Sequence, residues 1–519
     1  MKIFNKRPIF VFALVMMVVA IAVIYHNFFA LKVSFVICGA GLFVLGTILY
    51  FVLKSKTLKY VFSRVAIIAM AFVVGTGAVQ IGANFYLRDY SQFSGNAVVS
   101  GRIADVGEIT KGNHLPIVVD NVHVEGDGIS KDLHGKVMLT ILIDGNDQDI
   151  FVVGKTIDAY SKISFAKVGY ESEHGLTFYF VNKNITASGY ALESAVSVVD
   201  DNVKLTLSER ISQHVERIVS ENLDQEYSGL ALAMLFGDKS SVDEVVYNDF
   251  SGAGIAHLLA VSGLHVGFLV AILLAICKLF KARGYVRFAI VVVVLGFYAY
   301  LCGFSVSVLR ASIMALCMLF AGCIKEKYDM LNAISLAFVI LVCLFPYSIT
   351  TIGFQLSFSA VLAICLFAKP VSNVLSKFLY KKLAGTIAVL LSVQLGTLAI
   401  TCMAFEKLTL IAILANFVCL PVASVAYMIL FGTIIIATIC PPISICVYLF
   451  EFVMQVVVKF VHFLAPYGLF EIARWKGQVL SCLVPCSMFV CSEYLLVKKW
   501  PKTIVGGVTW LAVLVIILC

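Results

Sequence analysis

The sequence predicts a polytopic α-helical membrane protein with one inserted, extracytoplasmic, all-β domain of OB-like size. Across 519 residues, 61% are hydrophobic, 13% are charged, and the mean hydropathy is +0.98. A soluble domain cannot carry that balance, because it would expose far too much apolar surface. Within the first half, the hydrophobic period falls from helical to two over about a hundred residues, the signature of strands. Basic residues also collect in short loops between apolar runs, which orients the chain in a bilayer.

Three apolar segments come first, Ile9 to Tyr25, Val33 to Leu53 and Val65 to Phe85. The opening "MKIFNKR" and the run behind it resemble a signal peptide, but no small-x-small cleavage signal follows, so an uncleaved first helix is expected. Lys2, Lys6 and Arg7 precede the first segment, and Lys54, Lys56, Lys59 and Arg64 separate the second from the third. Both clusters belong on the cytoplasmic side, with the N-terminus inside and the residues after Phe85 outside.

The β runs are "NAVVSGRIADV", "LPIVVDNVHVEG", "GKVMLTILIDG", "KTIDAYSKISFAKV" and "LTFYFVNKNITASGY", punctuated by Gly, Asn and Asp turns. Five or so short strands fit a small barrel or sandwich. None of the fifteen cysteines lies between Phe51 and Ile276, so disulfides do not staple this segment. The remaining cysteines read as small buried hydrophobes. Arg88 to Lys204 holds sixteen acidic and ten basic residues, a net −6 against +8 for the chain. Tyr160, Phe165, Tyr170, Phe178, Tyr179, Phe180 and Tyr190 could stack bases, yet the negative balance disfavours tight polyanion binding there. "ERISQHVERIVSENL", Glu209 to Leu223, reads as an amphipathic helix lying on the membrane surface or against the barrel.

A linker, Phe236 to Gly254, leads to the main apolar region. Its expected spans are Ile255 to Cys277, Phe288 to Leu301, Ser305 to Gly322, Leu331 to Phe345, Ile352 to Phe367, Gly385 to Phe405, Leu410 to Cys440, Ile443 to Leu464, Val479 to Tyr494 and Ile504 to Cys519. The block from Leu410 exceeds one ordinary span, and Pro421 predicts a re-entrant segment or half-helix followed by a full one. Lys278, Lys281, Arg283 and Arg287, then Lys325 and Lys327, then Lys377, Lys381 and Lys382 mark successive cytoplasmic loops two spans apart. The organisation is therefore residues 1–87 as N-terminal helices, 88–205 as the β domain, 206–254 as amphipathic helix and linker, and 255–519 as the helical core.

Polar groups inside this core need a reason, since each costs free energy in hydrocarbon unless paired or wet. His257 and His265 are eight residues apart, about 12 Å on a continuous helix, too far to share one metal ion. Ser262 precedes His265 by three residues, the geometry of a membrane-embedded hydrolase pair, but no G-x-S-x-G elbow surrounds it. Gly252, Gly254, Gly263 and Gly267 permit close helix packing or bending at the entry. Arg310 lies five residues into its span and either snorkels, pairs or lines a wet passage. Gln355, Gln394 and Asn416 place uncharged amides on three further spans, a set that could surround one polar passage. "VVGKT" lacks the spacing of a phosphate-binding loop, so no nucleotide-driven motor is expected within the chain, and no cofactor is implied.

At these residues the sequence resembles the ComEC family of competence proteins. "GAGIAHLLAVSGLHVGFL", "GFSVSVLRASIMA", "TIGFQLSFSAVLAI" and "LANFVCLPV" occur in family order, with "LFGDKS" before them. The resemblance implies an inner-membrane channel, not an enzyme, that admits single-stranded transforming DNA. It further implies an extracytoplasmic DNA receptor, a cytoplasmic ATPase and a nuclease for the other strand. Membrane lipid and a second copy of the chain, in a homo-oligomer, are further expected partners. The resemblance sets His257, His265, Arg310, Gln355 and Asn416 in or beside the channel, and together with Ser262 and Gln394 they are expected to line or gate it. Many members continue into a metallo-β-lactamase-like domain. This chain stops after "TIVGGVTWLAVLVIILC" without that domain's histidine cluster, so a short form lacking its own metallo-nuclease is expected. The readings that compete with a DNA channel are a transporter of another anionic solute or polymer, and a membrane hydrolase using Ser262 and His265.

Overall fold

The structure, a computed structural model, describes residues 7–25, 44, 56–86, 94–107, 109, 112–126, 129–143, 150–165, 180–200, 203–405, 407–409, 411–439, 444–467 and 469–471. The apolar segment expected at Val33 to Leu53, the two expected C-terminal spans, and Tyr170, Phe178 and Tyr179 lie outside them. The chain divides into two compact units, one holding Phe12–Ile211 with Val339–Thr351, the other Met1–Val11, Ser212–Phe338 and Ile352–Cys519.

The first unit contains helix α1 (Pro8–Tyr25, from Phe12), helix α2 (Lys56–Tyr86) and a β-barrel. α1 and α2 approach closely at Gly75, where a Cβ would lie 3.3 Å from the Met16 side chain. The barrel strands are β1 (Ser94–Val106), β2 (His114–Gly126), β3 (Ile129–Asp132), β4 (Lys136–Leu142), β5 (Thr156–Phe165), β6 (Ile185–Leu192) and β7 (Val196–Asp200). Their order is β1-β2-β4-β6-β5, and β5 pairs back onto β1, so five strands close on themselves. Every pairing in that ring is antiparallel except β4 with β6. This closed five-stranded ring makes the domain OB-like, a property that strand count alone left open. Burial alternates along β2, β4 and β5, sending Ile117, Val119, Leu139, Ile141, Ile157 and Ile163 inward. β3 and β7 are additions that the sequence did not signal. Of the run expected from Leu176, the described residues begin at Phe180, which is buried in a helical turn, and become strand at Ile185.

Arg102, at a β1 bulge, fixes the start of helix α3 (Leu207–Asn222) to the barrel. Its Nε and Nη2 donate to the two carboxylate oxygens of Asp120 at 2.9 and 2.5 Å, and its Nη1 donates to Glu209 Oε2 at 2.8 Å. Glu209 also accepts from the Thr206 N–H at 2.7 Å while Thr206 Oγ1 accepts from the Glu209 N–H at 3.3 Å, a capping box. Of the two placements expected for this amphipathic helix, its first turn takes the barrel.

The second unit is helical. Residues read as linker form helix α4 (Gln225–Phe236), buried from Tyr227 to Leu235, and helix α5 (Glu244–Gly252). A short helix that is apolar all round has no stripe for periodicity to reveal. The Asp243 side chain caps α5, accepting from the N–H groups of Val245 and Val246 at 2.8 and 3.3 Å. Then follow α6 (Gly263–Leu279), α7 (Gly284–Leu301), α8 (Val306–Cys323), α9 (Met330–Leu344), α10 (Ile352–Leu375), α11 (Lys381–Phe405), strand β8 (Lys407–Thr409), α12 (Ala412–Ile439), α13 (Ser444–Leu464) and strand β9 (Leu469–Glu471). β8 and β9 pair with each other.

Three expected boundaries change. The first core span does not begin at Ile255, because Ala256–Leu259 is a 3-10 turn and α6 starts at Gly263. α10 continues past Phe367 to Leu375 through one π-helical turn at Ile364–Ala368. α12 is one helix that contains Pro421, not a half-helix and a full one. Proline forfeits one backbone hydrogen bond, a loss that a long apolar helix tolerates in a membrane. Among the described residues, seven helices are long and apolar enough to cross a bilayer, and the molecule is a polytopic membrane protein with an inserted OB-like barrel.

Candidate channel neck at the helix starts of the core

Ser262 is the N-cap of α6, in extended backbone. Its Oγ accepts from the Leu264 N–H at 3.3 Å, and its own N–H donates to His265 Nδ1 at 3.1 Å. His265 thus fills the place that Glu or Gln holds in an ordinary capping box. Because Nδ1 accepts, the ring is the neutral tautomer with its proton on Nε2. Ser262 therefore does not share a helical face with His265 as a nucleophile beside its base, and both side chains serve the helix end.

The His265 ring, 2% exposed, lies against Tyr427 of α12 with ring centroids 4.2 Å apart. The Tyr427 hydroxyl meets the Tyr298 hydroxyl of α7 at 3.2 Å. Three helices are thereby tied by one polar-aromatic chain. The sequence reading missed both tyrosines. Their signal was a phenol inside an apolar helix, which usually finds a partner when buried.

Arg310, on α8, is 8% exposed. Its guanidinium stands over the Phe358 ring of α10, 6.0 Å from the centroid. Gly263 lets it come close, since a Cβ there would lie 3.2 Å from Arg310 Nη2 and 3.3 Å from the Ala311 Cβ. Nε has no hydrogen-bond partner. Gln355 is half-buried on α10, three residues before Phe358 and hence on the neighbouring helical position.

A second group forms at the start of α12. Gly254 has φ +74°, a left-handed conformation, and a Cβ there would lie 2.6 Å from the Ala412 Cβ. Only glycine meets both conditions without strain. Gln394 Nε2 donates to the Thr409 carbonyl at 3.2 Å. Asn416 Nδ2 donates to the Ala412 carbonyl at 2.7 Å, and its buried Oδ1 has no partner. Gly254, Gln394 and Asn416 thus gather on the segment from Thr409 to Asn416, while Ser262, Gly263, His265 and Arg310 gather at the start of α6. Gly252 packs on Ala465, whose carbonyl would lie 3.3 Å from a Cβ. Gly267 has nothing within 4 Å of that position and so makes no close packing contact. His257 is exposed, on the 3-10 turn that separates the two groups in sequence. Lys239, whose charge acts on His257, lies over the Tyr247 ring at 5.3 Å from the centroid. Among the described residues, no group of three or more His, Cys, Asp or Glu is arranged to hold a metal ion.

These contacts bring together the starts of α6, α8 and α10, each with a polar side chain in its first two turns, whereas the start of α6 meets α12 well past its own start, at Tyr427. Helix starts carry unpaired N–H groups and the positive end of the helix dipole. The class so defined is a polytopic membrane protein whose helical core has a polar, electropositive end. The chain belongs to the competence protein family: that family's model, described as Competence protein, matches residues 234–500, which contain both groups. The chain is 29% identical to ComE operon protein 3 of Bacillus subtilis (strain 168) over 211 residues, 41% of this chain and 26% of that protein. It is 26% identical to Recombination protein 2 of Haemophilus influenzae over 260 residues, 47% of this chain and 32% of that protein. An uncharacterized protein of Aquifex aeolicus is 30% identical over 169 residues, 32% of this chain and 38% of its own length. The matched part thus spans about a quarter to two fifths of these relatives. No solved structure matches the chain.

Proposed function

We propose that this protein is a multi-pass inner-membrane channel that admits single-stranded DNA during natural competence, with its N-terminus cytoplasmic and its OB-like barrel outside. The carrying observation is the approach of the buried Arg310 to the start of α6, which His265 caps, inside the family-matched residues. A polyanion entering an apolar core needs cationic and dipolar groups at the mouth, and the starts of α6, α8 and α10 with a buried guanidinium supply them. In this reading His257, Ser262, His265, Arg310, Gln355, Gln394 and Asn416 line or gate the neck, Gly254 and Gly263 let its walls approach, and Pro421 lets α12 bend. A separate receptor presents DNA outside, a cytoplasmic ATPase and a separate nuclease act with the channel, and lipid and a second copy of the chain complete it.

Clean deletion of the gene, with no second copy, should abolish acquisition of transforming DNA and leave surface capture of DNA intact. Normal acquisition in that strain removes the proposed role. A transporter for another anionic solute is the second reading, because a guanidinium does not by itself select a polymer. Reconstituted protein that carries a small anion and shows no DNA-dependent current would favour it.

A further inference from the structure

Arg310 poses an electrostatic problem that the protein's own residues leave unsolved. Guanidinium does not lose its proton in proteins, so the side chain is a cation wherever it lies. Snorkelling would place its head in water, yet the residue is 8% exposed. Nε is orphaned, and no carboxylate among the described residues pairs with the group. The face of Phe358, 6.0 Å away, offers partial compensation at the edge of cation–π range. The guanidinium also adjoins Gly263, the first residue of a 17-residue helix. That is the positive end of a dipole, and the Gly263 N–H has no acceptor within the helix. A buried cation against a positive helix end is unfavourable unless an anion lies between them.

Resting on the channel reading above, we infer that Arg310 and the start of α6 form a discrete binding site for one phosphate group, the unit that a nucleic-acid strand repeats. The planar guanidinium grips two oxygens of a phosphate, and the Gly263 N–H donates to a third contact. The cap assists by fixing the backbone. Ser262 Oγ satisfies the Leu264 N–H and His265 Nδ1 satisfies the Ser262 N–H, so the helix start keeps its shape and the Gly263 N–H remains for the ligand. Gly263 itself is required by the approach: alanine would place a methyl group 3.2 Å from Nη2.

The test uses the full chain purified in detergent, with thermal unfolding followed against inorganic phosphate at constant ionic strength set with chloride. Wild type should show a saturable rise of about 1–3 °C with phosphate over chloride. A short single-stranded oligodeoxynucleotide should give the same rise at lower concentration. R310Q should lose the phosphate-dependent rise without becoming less stable in its absence, since it removes an uncompensated charge. R310K keeps the charge without the fork and should raise half-saturation about tenfold, and G263A should do likewise. If R310Q does not fold, R310K and G263A carry the comparison. Equal response to phosphate and chloride in wild type, or an unchanged response in R310K and G263A, overturns the site. Saturation by phosphatidylglycerol micelles with no effect of oligonucleotide keeps a phosphate site but assigns it to a lipid headgroup. DNA uptake that requires the gene while phosphate binding is absent overturns the site and leaves the channel reading standing. Phosphate binding with normal uptake in the deletion strain does the reverse.

Discussion

At the scale of single residues, Arg102 shows how one side chain decides where a helix begins. Its guanidinium serves Asp120 on β2 and Glu209 on α3 at once, with both carboxylates mostly buried. Burial alone would raise the Glu209 pKa, but the hydrogen bonds from Arg102 and Thr206 outweigh it and hold the group below its ordinary 4.5. A depressed carboxylate stabilises the folded form at pH above its unfolded value, and that contribution disappears as pH falls through the lower folded value. R102Q should therefore destabilise the barrel by about 2 kcal/mol at neutral pH, the scale of a lost charged hydrogen bond between partly buried groups. The difference from wild type should narrow below pH 4.5. Denaturant unfolding together with hydrogen exchange at residues 207–211 measures both, and a pH-independent difference would refute the charge argument. The residues behind it were visible as letters, since the capping box is written in "TLSE". The partnership with Asp120 was not, because it depends on a bulge that sets the β1 register. Arg310 was legible for the opposite reason: a charge in an apolar run stands out in any sequence, though its approach to Gly263 does not.

Among elements, periodicity served well where one face is wet or the run is long and failed where neither holds. The barrel strands alternate along β2, β4 and β5, so their period of two was plain. The long apolar helices declare themselves by composition. By contrast α4 is buried on every side from Tyr227 to Leu235 and α5 is only nine residues long, so both were read as connection. The sharper signal for α5 lay in chemistry, an aspartate directly before "EVVYNDF". Asp243→Ala should cost about 1 kcal/mol, the usual loss of an N-cap acceptor. It acts on the element that carries Asp249, whose carboxylate meets His462 Nδ1 of α13 at 2.6 Å. Protection of amides 244–250 from exchange should fall, while protection in the barrel should not change. Equal loss in both would show that the cap acts globally and not on α5.

For the whole molecule, the arrangement of charge predicts which ends of the helices face which compartment. Lysine and arginine crowd the connections after α6, α8 and α10, whereas the starts of those helices carry the polar neck. If the basic connections are cytoplasmic, the neck and the OB-like barrel share the opposite side. In the proposed channel the substrate would then meet the neck before the apolar core, and the +14 outside residues 88–204 would lie mostly beyond the membrane from where it enters. The segment from Phe51 to Ile276 has no cysteine of its own, which makes the geometry measurable. Tyr190, 69% exposed on β6, and Lys281, in the connection after α6, are suitable positions. In intact cells, or spheroplasts where an outer membrane intervenes, Y190C should react with a membrane-impermeant maleimide above the level of the parent protein. K281C should react only after permeabilisation. The parent is the necessary reference because native Cys343 is exposed at the end of α9 that faces the same side as the neck. Labelling of K281C from outside with Y190C protected would invert the molecule, placing the neck toward the cytoplasm and making it an exit for anions instead of an entrance. Labelling of both from one side would mean that an odd number of crossings separates the barrel from α6, contrary to the charge pattern on which the orientation rests.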